Sequence, residues 1–343
     1  MRPSRFLARC LLILVVLGLL GYLYVQREIK TFPTPTSVEA FEIPPGLSAR
    51  AVLEMLSERG LIANERLTMT YLVLSGNRKS LKAGEYLFDQ AVTTHQVIDA
   101  LVSGAVYLHK FTVPEGLTVT EVAAKWEEQG FGKAEEFVEA AKESVDLVDF
   151  EGGDSGAGAS VEGYLFPETY SFAIRTTPRQ AIETMVGRYR SVIEQLGNRF
   201  PAESWTLNAR DTLILASLVE AEAAVDDERP LIASVFLNRL KQRILLQCDP
   251  TVVYALEKSN RYQGTLTRAD LRFDSPYNTY RYAGLPPGPI ANPGMRSLEA
   301  VIRPASSRYL YFVRTTGGRH TFSENLAAHN RAVSAYRAMN GRK

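Results

Sequence analysis

The first pattern along the chain is an unbroken apolar run, CLLILVVLGLLGYLYV, from Cys10 to Val25. As helix it spans about 24 Å at 1.5 Å per residue, slightly short of a bilayer core. Phe6 to Ala8 extend it, and Arg9 can snorkel to the headgroups. Arg2, Arg5 and Arg9 lead into it and favour a cytoplasmic N-terminus. No small-residue cleavage site follows, because Tyr22, Leu23, Tyr24 and Val25 are bulky. The pattern predicts an uncleaved anchor over residues 1–30, with the chain from about Gln26 onward outside the cytoplasm. TFPTPTSVEA, residues 31–40, then reads as an extended linker off the membrane.

Beyond the linker the periodicity becomes that of short strands and amphipathic helices. FEIPPGLSARAVLEMLSERGLI (Phe41–Ile62) is echoed by FTVPEGLTVTEVAAKWEEQGF (Phe111–Phe131). Each predicts a strand, a Pro-x-Gly-Leu turn, a Ser or Thr cap, a helix and a terminal Gly. LKAGEYLFDQAVTTHQVIDALVSG (Leu81–Gly104) is a looser third version, with Thr93 or Thr94 as cap. These recurring units are similar in pattern to a LysM-like glycan-binding module; equally, such units recur because they pack well. Thr176–Leu196 predicts a helix with Thr177 as cap and Pro178 in the first turn. Residues 208–256 are mainly helical, with a helix over Arg229–Ile244. Pro and Gly then become frequent through Ala305, which predicts a rim of turns without regular structure. Arg308–Phe322 predicts a hairpin around Thr316-Gly317-Gly318, followed by a closing helix.

Composition narrows the function. The chain has 343 residues, 45% apolar and 22% charged, with a net charge of +1. That balance is ordinary for a globular protein and lacks the basic excess of a nucleic-acid binder. The two cysteines are Cys10, in the anchor, and Cys248, so no disulfide is predicted. His95, His109, His320 and His329 show no metal-ligand spacing. EGGDSGAGAS (Glu151–Ser160) is a glycine-rich loop without the spacing of a phosphate loop. No metal or cofactor is predicted.

Chemistry concentrates in LILASLVEAEAAVDDERPL (Leu213–Leu231). On a helical wheel Glu222 falls within an arc of Leu215, Leu218, Val219 and Val225, and Glu220 nearly opposite. A carboxyl in an apolar arc should have a raised pKa, which suits a general acid or base. Asp226, one turn on, could tune it. The alternative for Glu222 is a helix-end acid paired with an arginine such as Arg229; Glu220 reads as a buried structural acid with a hydrogen-bonded partner. Cys248 lacks a nearby His and reads as a small hydrophobe. Ser217 is not in a nucleophile elbow.

Several stretches then carry a resemblance: ASLVEAEAAVDDERPLIASVFLNRL, LLQCDPTVVYAL, SPYNTYRYAGLPPGPIANPG, YLYFVRTTGGRHTF and EGYLFPETY. Together they resemble the endolytic murein transglycosylases, the YceG-like family, over essentially the whole chain. The resemblance implies an α+β protein: an anchor (1–30), a linker (31–40), a LysM-like module (41–108) and a mixed α/β catalytic domain (109–343). It implies a bacterial inner-membrane location, a periplasmic catalytic domain, peptidoglycan glycan strands as substrate and work near peptidoglycan synthases. It assigns Glu222 as catalytic acid and base, and places Glu162, Gln247, Asp249, Tyr277, Asn278 and Tyr280 at the substrate. Cys248 departs from the Ser or Thr expected there. The implied reaction cleaves the β-1,4 bond between N-acetylmuramic acid and N-acetylglucosamine and closes a 1,6-anhydro ring. A muramidase, with Asp249 or Asp226 as second carboxyl, and a non-catalytic glycan-binding scaffold are the alternatives.

Overall fold

The structure, a computed structural model, describes residues 3–31, 33–34, 39–148 and 160–340. Nearly all of the glycine-rich loop, 151–159, lies outside the described residues, as do 32 and 35–38 of the linker. The chain divides into two compact units, Met1–His109 with Ser171–Arg175, and Lys110–Tyr170 with Thr176–Lys343. The architecture is mixed α and β.

The first unit begins with one long helix, α1 (Pro3–Thr31). Within it Arg9–Lys30 is long and apolar enough to cross a membrane, and residues 9–24 are exposed. Val25 and Ile29, on the same helix, are instead buried in the core of the unit, where α1 packs on α3 (Glu65–Leu74) and α4 (Thr94–Ser103). The segment expected as a linker includes β1 (Pro33–Thr34), which pairs antiparallel with β4 (Val92–Thr93). β2 (Phe41–Ile43) pairs antiparallel with β3 (Gly84–Tyr86), and α2 (Ala49–Glu58) and α3 lie between them in sequence. Ile43, Leu53, Leu56, Leu61, Leu72, Val97, Ile98 and Leu101 fill the core.

The echoed segments take up the local structure that their punctuation dictates. Ser48 caps α2, and Thr118 caps α5 (Val119–Glu128) in a box closed by Glu121. Thr93 and Gln96 form the same box at α4. Gly46 and Gly116, the turn glycines, both take left-handed φ near +83° and +84°, where a side chain would be strained.

The second unit contains α5, α6 (Ala134–Glu143) and α7 (Pro178–Arg199), the last capped by Thr177 with Pro178 in its first turn. Its centre is α8 (Ala209–Glu222), started by Asn208, whose side chain accepts from Asp211 N. From Thr212 to Val219 every residue of α8 is buried, because α9 (Arg229–Lys241), α10 (Asp249–Lys258) and α11 (Met295–Ile302) all pack on it. Here α11 corrects the expectation of turns alone after Asn260. Between Pro293 and Pro304, MRSLEAVI has enough apolar residues to bury Leu298, Ala300, Val301 and Ile302 as one helical face. The hairpin β7 (Tyr311–Arg314) and β8 (His320–Ser323) forms as expected, and α12 (Leu326–Asn340) packs against it. Strands β5 (His109–Thr112) and β6 (Thr169–Phe172) pair with each other.

Candidate active site

The helix carrying the two glutamates ends sooner than the wheel assumed. Glu222 is the last residue of α8, and Ala223 turns to extended backbone at φ −76°, ψ 115°. Val225 and Asp226 therefore leave the arc. Asp226 pairs with Arg229 at 3.0 Å and with Arg296, so it is neither beside Glu222 nor available as its second carboxyl.

Glu220 points into protein. One oxygen meets Arg229 at 2.7 Å, and both side chains are more than nine-tenths buried. The other oxygen accepts from Gly294 N at 3.0 Å. Arg229 is further held by Ser297 Oγ at 3.0 Å and lies 3.6 Å from Glu115. A side chain at Gly294 would displace the half-exposed Glu115 side chain from its place beside Arg229. Arg229 thus pairs with Glu220, not Glu222.

Glu222 faces a cleft of about 660 Å³. Gln247, Asp249 and Tyr280 line it with Arg239, Tyr311 and Arg314. The Glu222 carboxyl is pushed up to about 7, chiefly because burial removes it from water. Asp249's charge raises it further, while a hydrogen bond from the Cys248 thiol and the Arg314 charge pull the other way. The end of α8 acts in the raising direction, since a helix C-terminus disfavours an anion. Burial and the neighbouring Glu222 push the Cys248 thiol well up. It therefore stays a donor, in the place where a hydroxyl was expected.

The loop into α10 is tightly specified. Gln247 adopts φ +50°, a conformation that non-glycine residues keep only when held. Its backbone N–H donates to Thr279 O at 3.1 Å, and Arg239 donates to Leu245 O and Leu246 O at 3.0 and 2.8 Å. Cys248 N donates to Thr279 Oγ1 at 3.0 Å. Asp249 begins α10 and accepts from the Tyr280 hydroxyl.

Three expected substrate contacts lie elsewhere. Asn278 is fully buried and structural. Its amide donates to Leu271 O at 3.1 Å and Phe273 O at 2.7 Å, and its oxygen accepts from Tyr280 N. It shapes the turn that presents Tyr280. Glu162 lines a separate cavity of about 410 Å³, where it accepts from Val119 N at 2.9 Å and from the Tyr254 hydroxyl at 3.3 Å. Burial pushes its carboxyl up to about 7 as well. Tyr277 belongs to this second cluster: its ring lies 4.9 Å from that of Tyr254, and Lys258 stands over both. Gly163, next to Glu162, has φ +86°, and a Cβ there would meet Pro289 at 2.5 Å.

The sequence reading missed the far wall of the cleft. Tyr311, Arg314, His320 and His329 come from the hairpin and α12. Glu228 accepts from His320 through both its ring and its backbone N–H. His329 stacks on Tyr311 at 5.2 Å, and its buried Nδ1 has no partner among the described residues. The signal was present in YLYFVRTTGGRHTF, but β-alternation does not say which element a strand faces. The result is one carboxyl able to give and take a proton near neutrality, in a cleft of tyrosine, arginine, histidine and amide groups suited to a hydroxyl-rich polymer.

The YceG-like family profile matches residues 41–335. The chain is 34% identical to an endolytic murein transglycosylase of Bacillus subtilis (strain 168), over 91% of this chain and 87% of that protein. It is 30% identical to a protein of the same name from Streptococcus pneumoniae serotype 2, over 93% of this chain and 62% of that longer one. Among solved structures it is similar to the crystal structure of a yceG-like protein from Listeria monocytogenes. There the TM-score is 0.59 and the identity 31%, covering 85% of this chain and 98% of that one.

Proposed function

The chain belongs to the YceG-like family and is a peptidoglycan lytic transglycosylase; from that premise we propose that it cuts glycan strands internally with Glu222 as the one general acid and base. The bond cut is the β-1,4 link between N-acetylmuramic acid and N-acetylglucosamine. Glu222 gives its proton to the leaving glycosidic oxygen as the C1–O bond breaks. The resulting carboxylate takes the proton of the muramyl 6-hydroxyl, whose oxygen closes on C1 as a 1,6-anhydro ring. Glu222 ends protonated, and no water is consumed. One carboxyl suffices because the nucleophile belongs to the substrate, and its effective molarity replaces a second residue.

The observation that carries this reading is the neutral-range carboxyl of Glu222 on the cleft. Gln247 and Tyr280 are its substrate contacts. A muramidase needs a second free carboxyl at about 5–5.5 Å or 6.5–9.5 Å; Asp249 lines the same cleft but already accepts from Tyr280. In this reading α1 is the single-pass anchor, N-terminus inside and catalytic unit in the periplasm. The strand–helix–helix–strand part of the first unit is the LysM-like, glycan-holding module. Anchoring places the enzyme where membrane-bound synthases extrude new strands.

The test is digestion of purified murein by wild type and Glu222→Gln, with products read by mass spectrometry. Anhydro ends from the wild type alone are expected. Ordinary reducing muramic ends would make it a muramidase, and binding without products would make it a scaffold.

A further inference from the structure

We propose that the first unit is itself a membrane-contact surface: the C-terminal end of α3 and the loop after it, with Val73, Leu74 and Arg78 beside Arg50 and Arg66, rest among anionic phospholipid headgroups. This rests on the reading of α1 as a membrane anchor and extends it to the part of the chain next to the anchor.

Position comes first. α1 is exposed from residue 9 to 24 and covered by the unit's own core from Val25, 7% exposed, to Ile29, 3% exposed. No spacer separates the two stretches, because both belong to one helix. The uncovered part is about 24 Å long against a hydrocarbon core of about 30 Å. The bilayer surface therefore falls where the unit begins to cover the helix.

The second step places α3 at that level. Tyr71 of α3 lies close enough to Tyr22 of α1 for the two phenols to interact electrostatically. Tyr22 is among the last exposed residues of the apolar stretch. Val73 and Leu74 follow Tyr71 by two and three residues, so they stand within about 5 Å of it along the helix axis. A headgroup layer is roughly 5–8 Å deep on each side. With α3 packed on α1, this pair stands near the boundary between hydrocarbon and headgroups.

The chemistry fits that place. Val73 and Leu74 are each 55% exposed, adjacent apolar side chains that the fold leaves uncovered. Beside them Arg50, Arg66 and Arg78 line a cavity of about 610 Å³ with Leu53, Met69 and Val73. Among the described residues Glu65 is its one acid, and none of the three arginines makes an ion pair, although Arg175 of the same unit pairs with Glu42. Guanidinium forks match phosphate oxygens two at a time, and Lys79 follows Arg78 on the same exposed loop. No aromatic ring lines the cavity to stack on a sugar, so the phospholipid fits it better than a glycan does.

The full-length protein, with Cys10 replaced by Ser, is reconstituted into phosphatidylcholine vesicles with and without phosphatidylglycerol. An environment-sensitive fluorophore is attached at Val73→Cys or, separately, at Leu74→Cys. Flotation with the vesicles reports the anchor. Quenching by lipids spin-labelled near the headgroup reports the contact. The expected result is flotation with strong lipid quenching at both sites. That quenching falls several-fold when phosphatidylglycerol is omitted or when Arg50, Arg66 and Arg78 are changed to Gln. Flotation with labels quenched only by aqueous iodide overturns the proposal and leaves the anchor standing. Protection of the labels by soluble murein fragments, without lipid quenching, overturns it in favour of a glycan site. Failure to float overturns the anchor reading, and the proposal with it.

Discussion

Arg229 closes on Glu220 at 2.7 Å and leaves Glu222, two residues on, without an ion-pair partner among the described residues. Two neighbouring acids are thereby divided between structure and chemistry. Removing one partner of a buried pair strands the other charge and costs about 3–5 kcal/mol. Glu220→Gln should fall at the lower end, because Asp226 and Glu115 remain near Arg229. Thermal unfolding should show the loss. Activity per folded molecule should stay within a few-fold of wild type, and a Glu220→Gln protein of full stability and no activity would reverse the assignment.

Glu222→Gln should lower the rate of anhydro-end formation by roughly 10²–10⁴, the range for removing a general acid and base. Its melting temperature should not fall, because the substitution removes a carboxyl that the fold holds away from water. Paired activity and melting measurements on one preparation separate this outcome from misfolding.

The rate should fall as pH rises through about 7, where the Glu222 proton that starts the reaction is lost. The Cys248 thiol stabilises the charged form, so Cys248→Ala should move this limb to higher pH. Cys248→Ser keeps a donor, and a hydroxyl binds a carboxylate more strongly than a thiol, so it should move the limb to lower pH. Opposite displacements in the two pH–rate profiles are the check; parallel displacements would show that the thiol does not tune Glu222.

Glu162 should make the protein less stable as pH rises. Its folded pKa of about 7 lies above the ordinary 4.5, so between those values the native state holds a proton that the unfolded chain releases. The stability it contributes is complete below about 4.5 and lost as pH passes through 7, on the order of 3 kcal/mol. Glu222 acts in the same direction. Glu162→Gln should flatten the decline in denaturant midpoint from pH about 5 to about 8 without abolishing cleavage, since Glu162 lies outside the Glu222 cleft.

Local structure was legible where one residue type dictates it. Ser48, Thr93, Thr118 and Thr177 cap the helices expected of them. The site was legible only in part, for reasons of packing. The wheel treated α8 as a surface helix with one apolar arc, but α8 is buried on every side from Thr212 to Val219. Glu222 is set apart because the helix stops there and opens on the cleft, not because of its arc. The family pattern around SPYNTYRY names residues in sequence order, and the turn that Asn278 builds sends Tyr280 to the Glu222 cleft and Tyr277 against the ring of Tyr254. No one-dimensional pattern records that divergence. Arg239, read only as one position of α9, holds the Gln247 loop through carbonyls six and seven residues away.

The far wall of the cleft is made by Tyr311 to Arg314, His320 and α12, about 90 residues along the chain from Glu222 on α8. The groove therefore exists only while the hairpin and α12 are docked. Local opening of that pair would take away one side of the groove and leave α8 packed, so the grip on a strand can be lost without unfolding the helix that carries the carboxyl.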